Sequence, residues 1–171
     1  PNIRKVVLTL AAKSGSKNRF DEMWDLYDKE QFEEEKTRIL SALTCFNQTD
    51  LLSDLLDRSL DKDKVRLHNC IGVVTGVSFN RTGKTLAWEF LKNNWGEFDK
   101  RYGKGGFGLM RLVSLTKRFS TESEYDDVLQ FFKNNPVPAA DRTVRQSLEK
   151  IKINIAWLDK NIKEIKKLLG D

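Results

Sequence analysis

The chain has 171 residues, and its 30 Lys and Arg against 25 Asp and Glu leave a formal charge of +5. Ten Phe, four Trp and three Tyr within 39% apolar residues suit one folded domain, or a piece of a larger one, and argue against disorder. One histidine, His68, excludes any two-histidine zinc site, and two cysteines exclude a disulfide scaffold or a four-cysteine zinc site.

Helical spacing dominates from the start. Ile3, Val6, Val7 and Leu10 predict a first helix, with Gly15 as its stop. Phe20, Met23, Trp24 and Tyr27 predict a second, capped by Asn18. After an acidic turn at Glu33–Glu35, Ile39, Leu40, Leu43 and Phe46 predict a third. Leu51, Leu52, Leu55 and Leu56 mark a fourth, capped by Thr49 or Asp50, and Leu67, Ile71, Val74 and Val77 a fifth that ends near Asn80. A continuous sixth runs from Ala87 through Phe90, Leu91, Trp95 and Phe98 to Tyr102, and Gly103 stops it. A seventh extends from Phe107 to about Phe119. Thr121 and Glu124 have capping-box spacing at the head of an eighth, which Pro136 and Pro138 end.

The last helix is long. Val144, Leu148, Ile151, Ile155, Leu158, Ile162, Ile165 and Leu169 alternate steps of four and three. A coiled-coil dimer or a long capping helix laid along shorter ones would produce that stripe. Ile153 and Trp157 widen it beyond a narrow two-stranded seam. No segment keeps a period of two, so the expected class is all-α. Short loops imply antiparallel neighbours, and successive pairs predict an irregular HEAT- or armadillo-like array with a long C-terminal helix, one helical domain over residues 1–171.

Acids and bases interleave, as in Glu33, Glu34, Glu35, Lys36 and Arg38, so nucleic acid is not an expected partner. No apolar run approaches the ~20 residues a membrane span needs, and no membrane contact is expected. The opening Pro1-Asn2-Ile3, without an initiator Met, reads as an excised fragment.

Two glycine motifs imitate nucleotide sites. Gly103-Lys104-Gly105-Gly106-Phe107-Gly108 fits Gly-x-Gly-x-x-Gly, but a helix precedes it where a dinucleotide site needs a strand. Gly83-Lys84-Thr85 ends like a phosphate loop, yet Ser78 stands where that loop needs its first glycine. His68 lacks a nucleophile at a local spacing. Cys45 and Cys70 read as buried free thiols. Lys160, Lys163, Lys166 and Lys167 read as a solvated face whose last-turn cations suit the helix dipole. Asn47-Gln48-Thr49 and Asn80-Arg81-Thr82 are glycosylation sequons, and they tilt the expected location towards the secretory pathway.

An ordered set of segments adds a family reading. Leu43-Thr44-Cys45-Phe46, Asp50-Leu51-Leu52, Val65-Arg66-Leu67-His68-Asn69, Gly83-Lys84-Thr85-Leu86-Ala87-Trp88-Glu89-Phe90-Leu91, Asn94-Trp95, Arg118-Phe119-Ser120-Thr121-Glu122 and Asn154-Ile155-Ala156-Trp157-Leu158 occur in sequence. Together they resemble the C-terminal region of animal M1-family zinc aminopeptidases. The resemblance implies a domain that closes over a catalytic domain and walls a peptide cavity. It puts zinc and the catalytic glutamate in an upstream domain, so this chain holds neither cofactor nor catalytic residue. The expected partners are that catalytic domain and peptide substrates. Carried onto this chain, Phe107 and Arg111 become candidate cavity residues; core and ordinary surface are their competing readings. A stand-alone helical-repeat module that binds a protein partner remains the alternative function.

Overall fold

Amphipathic spacing sets the local structure. In the computed structural model, which describes residues 2–104 and 106–169, the apolar stripes fold as helices and no strand occurs among the described residues. Contacts group the chain into two units, Pro1–Trp95 and Gly96–Asp171.

The first unit contains α1 (Asn2–Lys13), α2 (Lys17–Lys29), α3 (Glu33–Leu43), α4 (Thr49–Leu60), α5 (Leu67–Phe79) and α6 (Gly83–Asn93). Helices α1, α3 and α5 touch in one row and α4 and α6 in another, and α5 packs on both α4 and α6. Phe20 of α2 packs on the segment between α3 and α4. Its ring meets Phe46 edge-on at 5.3 Å and Trp24 at 6.3 Å. Such pairs add about 0.5–1.5 kcal/mol each beyond area burial. Arg58 lies over Phe20 and Trp24, and Asp54 holds its guanidinium through bonds of 2.9 and 2.8 Å.

Several boundaries differ from the sequence expectation. Asn18 lies inside the first turn of α2, and Ser16 occupies the cap position. Glu33–Glu35 are the first turn of α3 rather than a turn before it, where acids offset the positive helix end. Thr49 and Asp50 are likewise helical, and Gln48 occupies the cap position of α4. Cys45 is only half-buried; Cys70 is buried, and both are free thiols. The expected continuous helix from Ala87 to Tyr102 is two, α6 and α7 (Trp95–Tyr102). Asn94 separates them at φ −111° and ψ 18°, and its side-chain amide donates to the Phe90 carbonyl at 2.9 Å. A side chain that takes an i−4 carbonyl competes with the helical ladder.

The second unit contains α8 (Phe107–Val113), a 3-10 helix (Ser114–Arg118), α9 (Glu122–Asn134), a short 3-10 turn (Pro138–Ala140) and α10 (Asp141–Leu169). The expected seventh helix thus tightens to 3-10 after Val113, where Ser114 Oγ donates back to the Met110 carbonyl at 2.8 Å. The capping box on α9 forms as expected: Glu124 N–H donates to Thr121 Oγ1 at 3.2 Å, and Thr121 N–H donates to Glu124 Oε2 at 3.1 Å.

Helix α10 lies along α8, α9 and both 3-10 segments. Its early stripe residues Val144, Ile151 and Ile155 are buried, whereas Ile162 and Leu169 are exposed. The capping-helix reading therefore holds for the first half of α10. Ile153 and Trp157 do not widen the buried stripe; they face solvent.

Candidate functional site

The glycine-rich turn and α8 hold the two candidate cavity residues. Gly103 ends α7 with an N–H bond to the Asp99 carbonyl at 2.7 Å, and a β-carbon there would meet that oxygen at 2.5 Å. Gly105 lies outside the described residues. Gly106 is buried at φ +70° and ψ −46°, near the rare γ-turn geometry, so its backbone demands glycine. Its carbonyl accepts from Met110 N–H at 2.8 Å and starts α8. The element before the turn is the helix α7, so the pyrophosphate geometry of a dinucleotide loop is not formed.

Phe107 follows directly and is 83% exposed, which removes the core reading. Arg111 is also exposed, one turn later. At about 100° per residue these two side chains project within about 40° of each other. Leu109 is buried on the opposite side of α8 and lines a groove of about 690 Å³. Asp99, Lys100 and Lys104 form one wall of that groove, and Val137–Ala139 the other. Phe107 and Arg111 thus share a protruding face, and the groove lies behind them. The family resemblance supplies the pair. It misses the groove, whose second wall comes from Val137–Ala139, about thirty residues away in the chain.

The remaining candidates are dispersed. Asn47 is exposed, and its amide donates once, to the Lys13 carbonyl at 3.0 Å. Asn80 is half-buried, and its amide donates twice, to the carbonyls of Thr44 at 3.0 Å and Phe46 at 2.6 Å. His68 is exposed in the first turn of α5. Among the described residues no three His, Cys, Asp or Glu side chains converge as metal ligands, so the donors present do not fit a zinc site. Gly83 begins α6 because a β-carbon there would strike the Val77 carbonyl at 2.4 Å; helix approach, not phosphate, accounts for it. Among the described residues, no helix is long and apolar enough to cross a membrane.

Comparison with known proteins settles the family. The model of the ERAP1-like C-terminal domain matches residues 1–153. The chain belongs to that family. It is 32% identical over 165 residues to aminopeptidase N of Bos taurus, a match covering 94% of this chain and 17% of the relative. Aminopeptidase Ey of Gallus gallus is 31% identical with the same coverage. Glutamyl aminopeptidase of Bos taurus is 30% identical over 162 residues, again 94% of this chain and 17% of that protein. The chain therefore spans about a sixth of the length of these relatives and corresponds to the C-terminal domain of M1 aminopeptidase-like proteins.

Proposed function

We propose that this ERAP1-like C-terminal domain chain is the non-catalytic part of a zinc aminopeptidase that removes N-terminal residues from peptides. Its role is to pack on the catalytic domain, help enclose the substrate cavity and bias which peptides are accepted. The supporting observation is Phe107. A residue this apolar at 83% exposure, fixed by a buried positive-φ glycine, suits a contact surface for a substrate side chain. Arg111 beside it adds a cation that attracts an acidic group on the peptide.

A second observation favours a larger parent over a stand-alone module. Helix α1 packs on α2 and α3 yet leaves Ile3 77%, Val7 56% and Leu10 59% exposed along one stripe. Further protein of the parent would cover such a face. Zinc chemistry belongs to the catalytic domain in this reading.

The test is Phe107→Ala in the full-length parent. Its kcat/KM ratios across peptides with different side chains should change by roughly tenfold or more, the size expected for a lost apolar contact. The melting temperature should stay constant. Unchanged kinetics on several peptides would remove Phe107 from the substrate path.

A further inference from the structure

The apolar stripe of α10 outlasts the core that it serves. Ile151 and Ile155 are buried, whereas Leu158 and Ile165 are half-buried, Ile162 is 39% exposed and Leu169 74% exposed. The last four keep the steps of four and three, Leu158 to Ile162 to Ile165 to Leu169. That alternation describes a seam for another helix rather than a general apolar patch. From Ile155 to Leu169 the helix rises about 21 Å at 1.5 Å per residue.

The charges beside the seam select the partner and its direction. In heptad terms Ile155, Ile162 and Leu169 take position a, and Leu158 and Ile165 take d. Asp159 and Lys166 then fall at e, and Asn161 and Leu168 at g. An antiparallel pair sets e against e, whereas a parallel pair sets e against g. Two copies laid antiparallel, with a twofold axis between Ile162 and Ile165, bring Ile162 onto the partner's Ile165 and Leu158 onto the partner's Leu169. The same register brings Asp159 onto the partner's Lys166, and symmetry makes every contact twice. A parallel pair sets Asp159 and Lys166 against Asn154 and Asn161, and no ion pair results. It would also bring together the faces that α8 and α9 already cover, while the antiparallel pair keeps the packed halves of α10 at opposite ends. Among the described residues neither Asp159 nor Lys166 joins an ion pair, although Lys163 lies four positions after Asp159. Lys160, Lys163, Glu164 and Lys167 fall at f, b, c and f, away from the seam.

We propose that a second copy of this chain covers the distal stripe, as a short antiparallel coiled coil over residues 158–169. The seam is just over three turns long, which makes the dimer weak and reversible. The inference stands apart from the role given to Phe107 and lies beyond residue 153, where the family match ends.

The test is sedimentation equilibrium of the 171-residue chain from about 10 μM to about 1 mM. A dimer that grows with concentration is expected. Asp159→Lys and Lys166→Asp each place like charges opposite one another, and each should weaken the dimer by roughly tenfold or more. Mixed in equal amounts, the two variants regain both ion pairs, and a mixed dimer should form as tightly as the original. Ile162→Asn should abolish the dimer. Circular dichroism confirms that the three variants fold. Three results would overturn the proposal: a monomer at every concentration, a dimer that neither charge variant weakens, or a mixture no tighter than its components. The second is the result expected of a parallel pair, or of pairing through the exposed face of α1.

Discussion

Asn154 donates from Nδ2 to the carbonyl oxygen of Phe119 at 2.8 Å, and the other hydrogen of the same nitrogen goes to the Lys117 carbonyl. Asn80 repeats the device in the first unit on Thr44 and Phe46. In both places two carbonyls, two residues apart, emerge where a helix ends and the ladder no longer supplies donors. Asn154→Ala should cost about 1–3 kcal/mol, because both acceptors lose their donor inside the fold. Asn154→Asp should cost at least as much, since a carboxylate has no hydrogen to give. Urea unfolding measures both, and a loss under about 0.5 kcal/mol for either variant refutes the clamp.

The two sequons should behave differently. A glycan replaces one hydrogen on the Asn nitrogen. Asn80 uses both in the fold, whereas Asn47 uses one and stands exposed. Expressed through a secretory pathway, the folded chain should carry a glycan at Asn47 and none at Asn80. Intact-mass and peptide mapping read this directly, and occupancy at Asn80 alone would reverse the assignment.

Gly106→Ala should destabilise by about 1–3 kcal/mol through backbone strain alone, because the nearest atom to an added β-carbon is a comfortable 3.6 Å away. Gly83→Ala should destabilise for the other reason, collision with the Val77 carbonyl. Loosening the α5–α6 turn by one residue should rescue Gly83→Ala and leave Gly106→Ala unchanged. Thermal melts of the four proteins separate strain from collision.

Stability should fall at both ends of the pH scale. The Phe32 N–H bond, with help from Gln31 N–H and Arg4, holds the Glu30 carboxyl below its ordinary value of 4.5. A lowered folded value means that the contribution is present above about pH 4.5 and lost as pH drops through the folded value. Burial first, then the charges of Glu33 and Asp28, raises the Tyr27 hydroxyl above 10.0 against the pull of Arg66, while Tyr27 donates to the Lys64 carbonyl at 2.9 Å. That contribution is complete below about pH 10 and disappears as pH rises through the folded value. Melting temperature against pH should lose part of its alkaline slope in Tyr27→Phe and part of its acid slope in Glu30→Gln. Slopes identical to the unsubstituted chain would contradict both assignments.

Helix type was legible because burial repeats every three or four residues, as Phe20, Met23, Trp24 and Tyr27 show by all being buried. Helix ends were less so. Asn94, Ser114 and Asn80 act through side-chain bonds to backbone carbonyls, and such bonds leave no mark in an apolar pattern. The capping box of Thr121 and Glu124 was readable because there both partners follow a fixed spacing. Phe107 and Arg111 came from family resemblance, and their shared exposed face follows from their four-residue separation. The exposure of Trp157 was not legible, because with Ile153 it reads as a widening of the apolar stripe.

The uneven packing of α10 divides the constraints on its sequence. The family match ends at residue 153, close to Ile155, the last stripe position that is buried. Up to that point a substitution must satisfy neighbours on four other elements. Beyond it, Leu158 and Ile165 are only half-buried and Leu168 and Leu169 are 86% and 74% exposed, so packing restrains the choice less and helix propensity more. The distal turns can therefore diverge between lineages at little cost to folding, and a partner that reads them can diverge with them.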